Sequence, residues 1–71
     1  MNRKPVTSSQ ISSIGYNRSM EILEVEFNNG AVFQYSEIPE KIYCGLINAS
    51  SIGSYFHRII KLGNYSYSQV F

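Results

Sequence analysis

The chain has no tryptophan, one cysteine, one histidine and two prolines, and only 15% of its 71 residues are charged. Each shortage excludes something. Cys44 has no partner for an intrachain disulfide, and His57 and Cys44 together fall short of a structural zinc site. The staples that small domains commonly use are therefore missing, and packing or self-association has to stabilise this one. No apolar run approaches the roughly 20 residues of a membrane-spanning helix. The opening MNRKPVTSSQ also lacks the apolar centre of a signal peptide. The expected setting is soluble, reducing and cytoplasmic, with no membrane partner. A chain this short makes a single domain that buries only about 60% of its unfolded surface, so a deep, enclosed catalytic pocket is not expected.

What is present is apolar and aromatic. Hydrophobic residues make up 44% of the chain and phenylalanine and tyrosine 14%, which together with the low charge excludes intrinsic disorder. Ten aromatic rings on so small a domain are expected to leave aromatic surface uncovered, for a binding face or a homodimer or higher oligomer. The net charge of +1 does not argue for nucleic acid. All five acids (Glu21, Glu24, Glu26, Glu37 and Glu40) fall in the middle of the chain, and the basic residues flank them. Glu24 and Glu26 are expected on a solvated sheet face that repels polyanions.

Local patterning predicts an α+β domain: an antiparallel sheet of three to four strands followed by two short helices packed on one face. Residues 1–5 are expected to be a flexible tail and residues 6–71 the domain. A first strand is predicted from about Ser9 to Tyr16, where Ile11 and Ile14 share a face only if a bulge intervenes. Leu23, Val25 and Phe27 alternate with Glu24 and Glu26, and Ala31, Phe33 and Tyr35 alternate with Val32 and Gln34. A two-residue Asn29-Gly30 turn would put Phe33 and Tyr35 on the glutamate face. A three-residue Asn28-Asn29-Gly30 loop pairs Phe27 with Ala31, Val25 with Phe33 and Leu23 with Tyr35, which gathers the apolar residues, so that register is predicted. Helical spacing follows from about Pro39 to Ala49, and again behind a serine cap at Ser50 or Ser51, with Gly63 as the stop. The last segment, NYSYSQVF, is read as an edge strand or as a strand that pairs with a partner chain.

Candidate chemistry is sparse. Cys44 and His57 have no glycine-rich elbow or orienting group around them, so no catalytic residue is assigned and an enzyme is not expected. Cys44 is read as a half-buried structural residue. No cofactor or metal ligand set is present. The stretch Ala49-Ser50-Ser51-Ile52-Gly53-Ser54 combines hydroxyls with a glycine at a helix start, a pattern suited to an anion. It lacks the lysine and glycines of a P-loop. Arg58 and Lys61 follow one and two turns later. Exposed tyrosines are the platforms on which nucleobases stack, with Tyr65 and Tyr67 the leading pair. The candidate ligand-binding set is Ser51, Gly53, Arg58, Tyr65, Tyr67, Tyr16 and His57.

These motifs, in this order, resemble the KTSC domain, a short domain named from the C-terminus of some lysyl-tRNA synthetases and also found as free-standing bacterial and phage proteins. The resemblance runs from Val6 to Val70. It rests on Ser8-Ser9, Ile14-Gly15-Tyr16, Leu23-x-Val25-x-Phe27, Gly30, Phe33-Gln34-Tyr35, Ile38-Pro39, Tyr43, Leu46, Ala49, Ser51-x-Gly53-x-Tyr55-Phe56 and Tyr65-x-Tyr67. Two positions depart from the family pattern: Phe33 stands where tyrosine is usual, and His57 where asparagine is frequent. The resemblance implies this fold, with RNA or nucleotide binding, and no catalytic residue. The expected function is a non-enzymatic module for a nucleotide or phosphate-bearing ligand, with sequestration of a nucleotide immune signal as its use in a phage-type protein in the host cytoplasm. The alternatives are a single-stranded RNA or tRNA module and a protein-interaction module.

Overall fold

The register of the sheet starts at the Asn28-Asn29-Gly30 loop. Gly30 adopts φ +92°, a conformation that a side chain would strain, and nothing crowds the space around it. The Phe27 N–H donates to the Ala31 carbonyl and the Gly30 N–H to the Phe27 carbonyl, both at 2.9 Å. The three-residue loop therefore closes as predicted, and Leu23 pairs with Tyr35, Val25 with Phe33 and Glu26 with Val32. In this computed structural model, which describes residues 1–71, the strands are β1 (Lys4–Pro5), β2 (Ile11–Asn17), β3 (Ile22–Phe27), β4 (Val32–Tyr35) and β5 (Tyr67–Gln69). They form one sheet in the order β1-β2-β3-β4-β5, with every pair antiparallel.

The bulge that Ile11 and Ile14 require is present, as a register shift between Ile11 and Ser13 on β2. It turns both isoleucines into the core, where they are almost wholly buried. The count of strands is five. Beyond the three strands of the meander, β5 is the C-terminal segment, docked on β4 as an edge strand. The other, β1, lies where a flexible tail at residues 1–5 was expected. Lys4 and Pro5 pair with Ile14 and Ser13, and the arm before them crosses the outer face of β2. Gly15 makes that crossing possible, since a Cβ there would come within 2.8 Å of the Asn2 carbonyl oxygen.

The same arm overturns the expectation of a solvated acidic face. Glu24 is only 6% exposed. Its carboxylate accepts hydrogen bonds from the Arg3 guanidinium and, at 2.7 Å, from the Gln34 amide. Burial alone would raise its pKa, but the Gln34 and Arg3 hydrogen bonds and the arginine's charge outweigh that and hold it below its ordinary value of 4.5. A carboxylate whose pKa is depressed by folding stabilises the fold above its unfolded pKa. That contribution disappears as the pH falls through the folded value. Arg3→Ala removes two of the effects that hold this pKa down, the arginine's hydrogen bond and its charge, so the folded value moves up towards the unfolded one and less stability is lost on acidification. In urea titrations across pH 3–7 the variant is therefore expected to be less stable than the parent near pH 7, with the difference shrinking as the pH falls. A difference that does not change with pH would show that the ion pair contributes nothing.

Two helical segments cover the other face. Helix α1 spans Glu40–Ile47, with Pro39 as its N-cap residue in extended conformation and Glu40 in its first turn. Helix α2 spans Ile52–Tyr55, capped by the Ser51 hydroxyl, which accepts from the Ser54 N–H. It continues directly into a π-helical stretch, Phe56–Lys61, that helical periodicity alone did not foretell. The core between sheet and helices is Ile11, Ile14, Leu23, Val25, Tyr35, Ile38, Leu46, Phe56 and Ile60. The helices meet at Gly45, where a Cβ would lie 2.2 Å from the Tyr55 hydroxyl oxygen. Cys44, expected to be half-buried, is exposed, because α1 turns Leu46 inward and Cys44 out. No helix is long and apolar enough to cross a membrane.

Candidate ligand-binding site

The connection from β1 to β2 and the start of α2 come together to form a hydroxyl-rich cavity of about 420 Å³. It is lined by Thr7, Ser8, Ser9 and Gln10 from one side and by Ser50, Ser51, Ile52, Gly53, Ser54 and His57 from the other. The local bonding decides what this cavity offers. Ser8 Oγ accepts from the Gln10 and Ile11 N–H groups at 3.2 and 3.3 Å, and Ser51 Oγ accepts from the Ser54 N–H at 3.3 Å. Both oxygens thus serve as acceptors for the backbone, and each keeps its proton to donate. The N–H groups of Ile52 and Gly53 donate to no group of the protein. The cavity therefore offers two hydroxyl protons and the N–H groups of Ile52 and Gly53 as free donors.

A second cavity of about 480 Å³ adjoins it, lined by Gln10, Phe27, Phe33, Tyr35, Phe56, His57, Lys61, Leu62 and Tyr67. Its aromatic wall is interlocked. Phe56 meets Phe27 and Tyr35 edge-on at centroid distances of 5.5 and 5.4 Å, and Tyr67 lies 5.4 Å from Tyr35. Burial, with a smaller contribution from Tyr67, pushes the Tyr35 phenol above its ordinary value, so it stays a neutral hydroxyl. The rest of the lining comes mostly from Leu62 and the π-helical stretch before it. Its wider turn, in which the Leu62 N–H donates to the His57 carbonyl at 3.2 Å, brings Phe56, His57, Lys61 and Leu62 to one side. In an α-helix, residues five apart would diverge.

Gln10 and His57 line both cavities, so the two adjoin there, hydroxyls on one side and aromatic rings on the other. Charge within it comes from Lys61. The ion pairs of the molecule are Arg3 with Glu24 and Arg18 with Glu40, and neither touches the site. No cluster of His, Cys, Asp and Glu is arranged to hold a metal ion. Cys44 on α1 lines neither cavity.

The structure brings together four of the seven residues singled out from the sequence. Ser51, Gly53 and His57 line the hydroxyl cavity, and His57 and Tyr67 line the aromatic one. Tyr16, Arg58 and Tyr65 line neither. Tyr16 stacks on Tyr43 at 4.5 Å with rings 8° from parallel and donates its hydroxyl to the Ile38 carbonyl at 2.5 Å, so its ring and its proton are used inside the fold. Tyr65 packs half-buried against the core beside Gly63, and Arg58 faces solvent. Lys61, noted from the sequence beside the serine stretch, lines the aromatic cavity, whereas sequence reasoning missed Gln10, Leu62 and the lining role of Phe33. The paired serines at 8 and 9 were visible as a motif. Their meeting with Ser51–Ser54 depends on the β1–β2 connection, which no local pattern reveals.

The KTSC domain family model matches residues 7–70. Over its whole length the chain is similar to an uncharacterized protein of Stutzerimonas stutzeri, at 36% identity with 99% of each chain covered. It is 37% identical over 62 residues to part of a lysine–tRNA ligase of Trichormus variabilis, covering 87% of this chain and 11% of the ligase. The crystal structure of a KTSC domain protein of Yersinia pestis superposes with a TM-score of 0.91 at 35% identity, covering 99% of this chain and 97% of that one.

Proposed function

We propose that this chain, which belongs to the KTSC domain family, is a non-enzymatic binding module for a nucleotide or a related ligand that carries a phosphate. The observation behind the reading is that a hydroxyl-lined cavity and an aromatic-lined one adjoin at Gln10 and His57. A cluster of free hydroxyl and backbone N–H donors suits a group that only accepts, and a phosphate is such a group. A groove of phenylalanine and tyrosine suits a nucleobase, at roughly 1–3 kcal/mol per stacked ring. Lys61 on the groove wall adds the positive charge that draws an anion in. With no catalytic group assigned, such a module retains its ligand rather than converting it. Sequestering a nucleotide signal, as a phage-type protein would use it against its host, is the role this reading gives a free-standing copy.

Isothermal titration against mono-, di- and cyclic nucleotides tests the reading. At least one phosphorylated compound is expected to bind, and the matching nucleoside without phosphate is expected to bind at least tenfold more weakly, a difference of about 1.4 kcal/mol. Silence across the panel would overturn it.

A second reading, a single-stranded RNA or tRNA module, is favoured by the relatives that are lysine–tRNA ligases. Salt separates the two. Each phosphate contacted on a single strand adds about −0.7 to the slope of log affinity against log salt. RNA held by several of Lys4, Lys41, Arg58 and Lys61 gives a steep slope, whereas a nucleotide held by neutral donors and Lys61 gives the slope of about one contact.

A further inference from the structure

The two edges of the sheet are built differently. β1 is a lysine followed by a proline, the residues with which natural sheets refuse a further strand. β5 ends the other side as Tyr67-Ser68-Gln69, every residue exposed, and no charged residue occurs from Leu62 to Phe71. Three large apolar side chains stand out at this edge, Tyr67 at 64%, Val70 at 49% and Phe71 at 83% exposure.

The hydrogen-bond parity of β5 determines which backbone groups are free. The Ser36 N–H donates to the Ser66 carbonyl and the Val70 N–H to the Val32 carbonyl, both at 2.8 Å, and Ser68 pairs with Gln34 between them. Ser66 and Ser68, and Val70 through its N–H, therefore aim at β4, and beyond them the Val32 N–H donates to the Phe71 carbonyl at 3.0 Å. Alternation turns the N–H and C=O groups of Tyr67 and Gln69 away from it, to the open edge.

We propose that β5 is a dimerisation edge, pairing antiparallel with β5 of a second copy of this chain about a two-fold axis at Ser68. This register sets Tyr67 opposite the partner's Gln69, and Gln69 opposite the partner's Tyr67. Both residues with outward backbone groups then exchange both of their bonds. A second copy is the occupant because the strand complements itself: the same outward pair recurs under the two-fold, Ser68 meets the partner's Ser68 without steric bulk, and no like charges face each other. The apolar rings of Tyr67 and Phe71 gain cover. Since Tyr67 also lines the aromatic groove, the partner's Gln69 arrives at the groove's mouth.

Sedimentation velocity of the ligand-free full chain over a concentration series tests the proposal. The parent is expected to move from monomer to dimer as concentration rises. Gln69→Pro removes an outward N–H while leaving the ladder to β4 intact, and Ser68→Lys sets two ammonium groups opposite each other across the axis. Both variants are expected to keep the parent's circular dichroism spectrum and to sediment as monomers throughout, while Gln69→Asn still dimerises. A parent that stays monomeric at the highest soluble concentration overturns the proposal. So does a dimer that survives both substitutions, because its interface then lies elsewhere. No nucleotide enters the measurement, so its outcome and that of the binding reading are independent.

Discussion

Phe56→Ala is expected to leave the domain unfolded, or nearly so, at room temperature. Phe56 is 3% exposed and sits where sheet and helices meet, edge-on to Phe27 from β3 and to Tyr35 from β4. It is also the first residue of the π-helical stretch, so its anchoring fixes where that turn begins. Truncating a buried phenylalanine costs about 3–5 kcal/mol, from lost transfer energy and the cavity left behind. A single core in a domain of this size rarely supplies more than about 3–5 kcal/mol in all, and this one has no disulfide or metal to make up the difference. Urea titration followed by circular dichroism checks this, with Phe56→Leu as the comparison. The leucine variant is expected to fold with a lowered midpoint, since it keeps most of the buried area and loses the edge-to-face contacts. An alanine variant as stable as the parent would show that the aromatic cluster is not the centre of the core. Phe56 also floors the groove, so loss of binding in this variant would say nothing about ligand contact.

The elements that were legible from sequence are those whose causes are local. The hairpin register followed from one requirement, that Leu23, Val25, Phe27, Phe33 and Tyr35 share a face, and only the three-residue loop with Gly30 at positive φ meets it. The bulge in β2 followed in the same way from Ile11 and Ile14. What was not legible depends on contacts between distant segments. Lys4 and Pro5 read as tail because a two-residue strand has no period, and their pairing becomes visible only once β2 is in place. Glu24 read as solvated because alternation reports which face a residue is on, not what covers that face. Tyr16 read as a stacking platform because composition cannot show that Tyr43 already occupies its ring. One side of the candidate site was recognisable in the stretch from Ser51 to His57. The other side, Ser8 to Gln10 and the rings of the groove, is assembled by topology. Phe33 and His57, the positions that the resemblance marked as departing from the usual residues, both line the aromatic cavity.

Gly53→Ala is expected to separate binding from folding, with the two moving in opposite directions. Gly53 lies in α2 at an ordinary negative φ, so alanine is conformationally admissible there and removes the entropy penalty of a glycine, about 0.5–1 kcal/mol. A Cβ at this position would meet Ser8 Oγ at 3.5 Å and the Gln10 carboxamide at 3.6 Å, ordinary van der Waals distances. The fold therefore has room for the methyl group. At about 4–8 °C per kcal/mol for a domain of this size, the melting temperature is expected to rise by roughly 2–8 °C. The proposed ligand would meet the same methyl, which stands against Ser8 Oγ and the Gln10 carboxamide, both on the lining of the hydroxyl cavity that the proposal gives to the phosphate. Affinity for whichever nucleotide the titration panel identifies is expected to fall at least tenfold, about 1.4 kcal/mol. Binding kept at parental strength by a stabilised Gly53→Ala would remove the phosphate from this cavity and leave the aromatic groove as the place of contact.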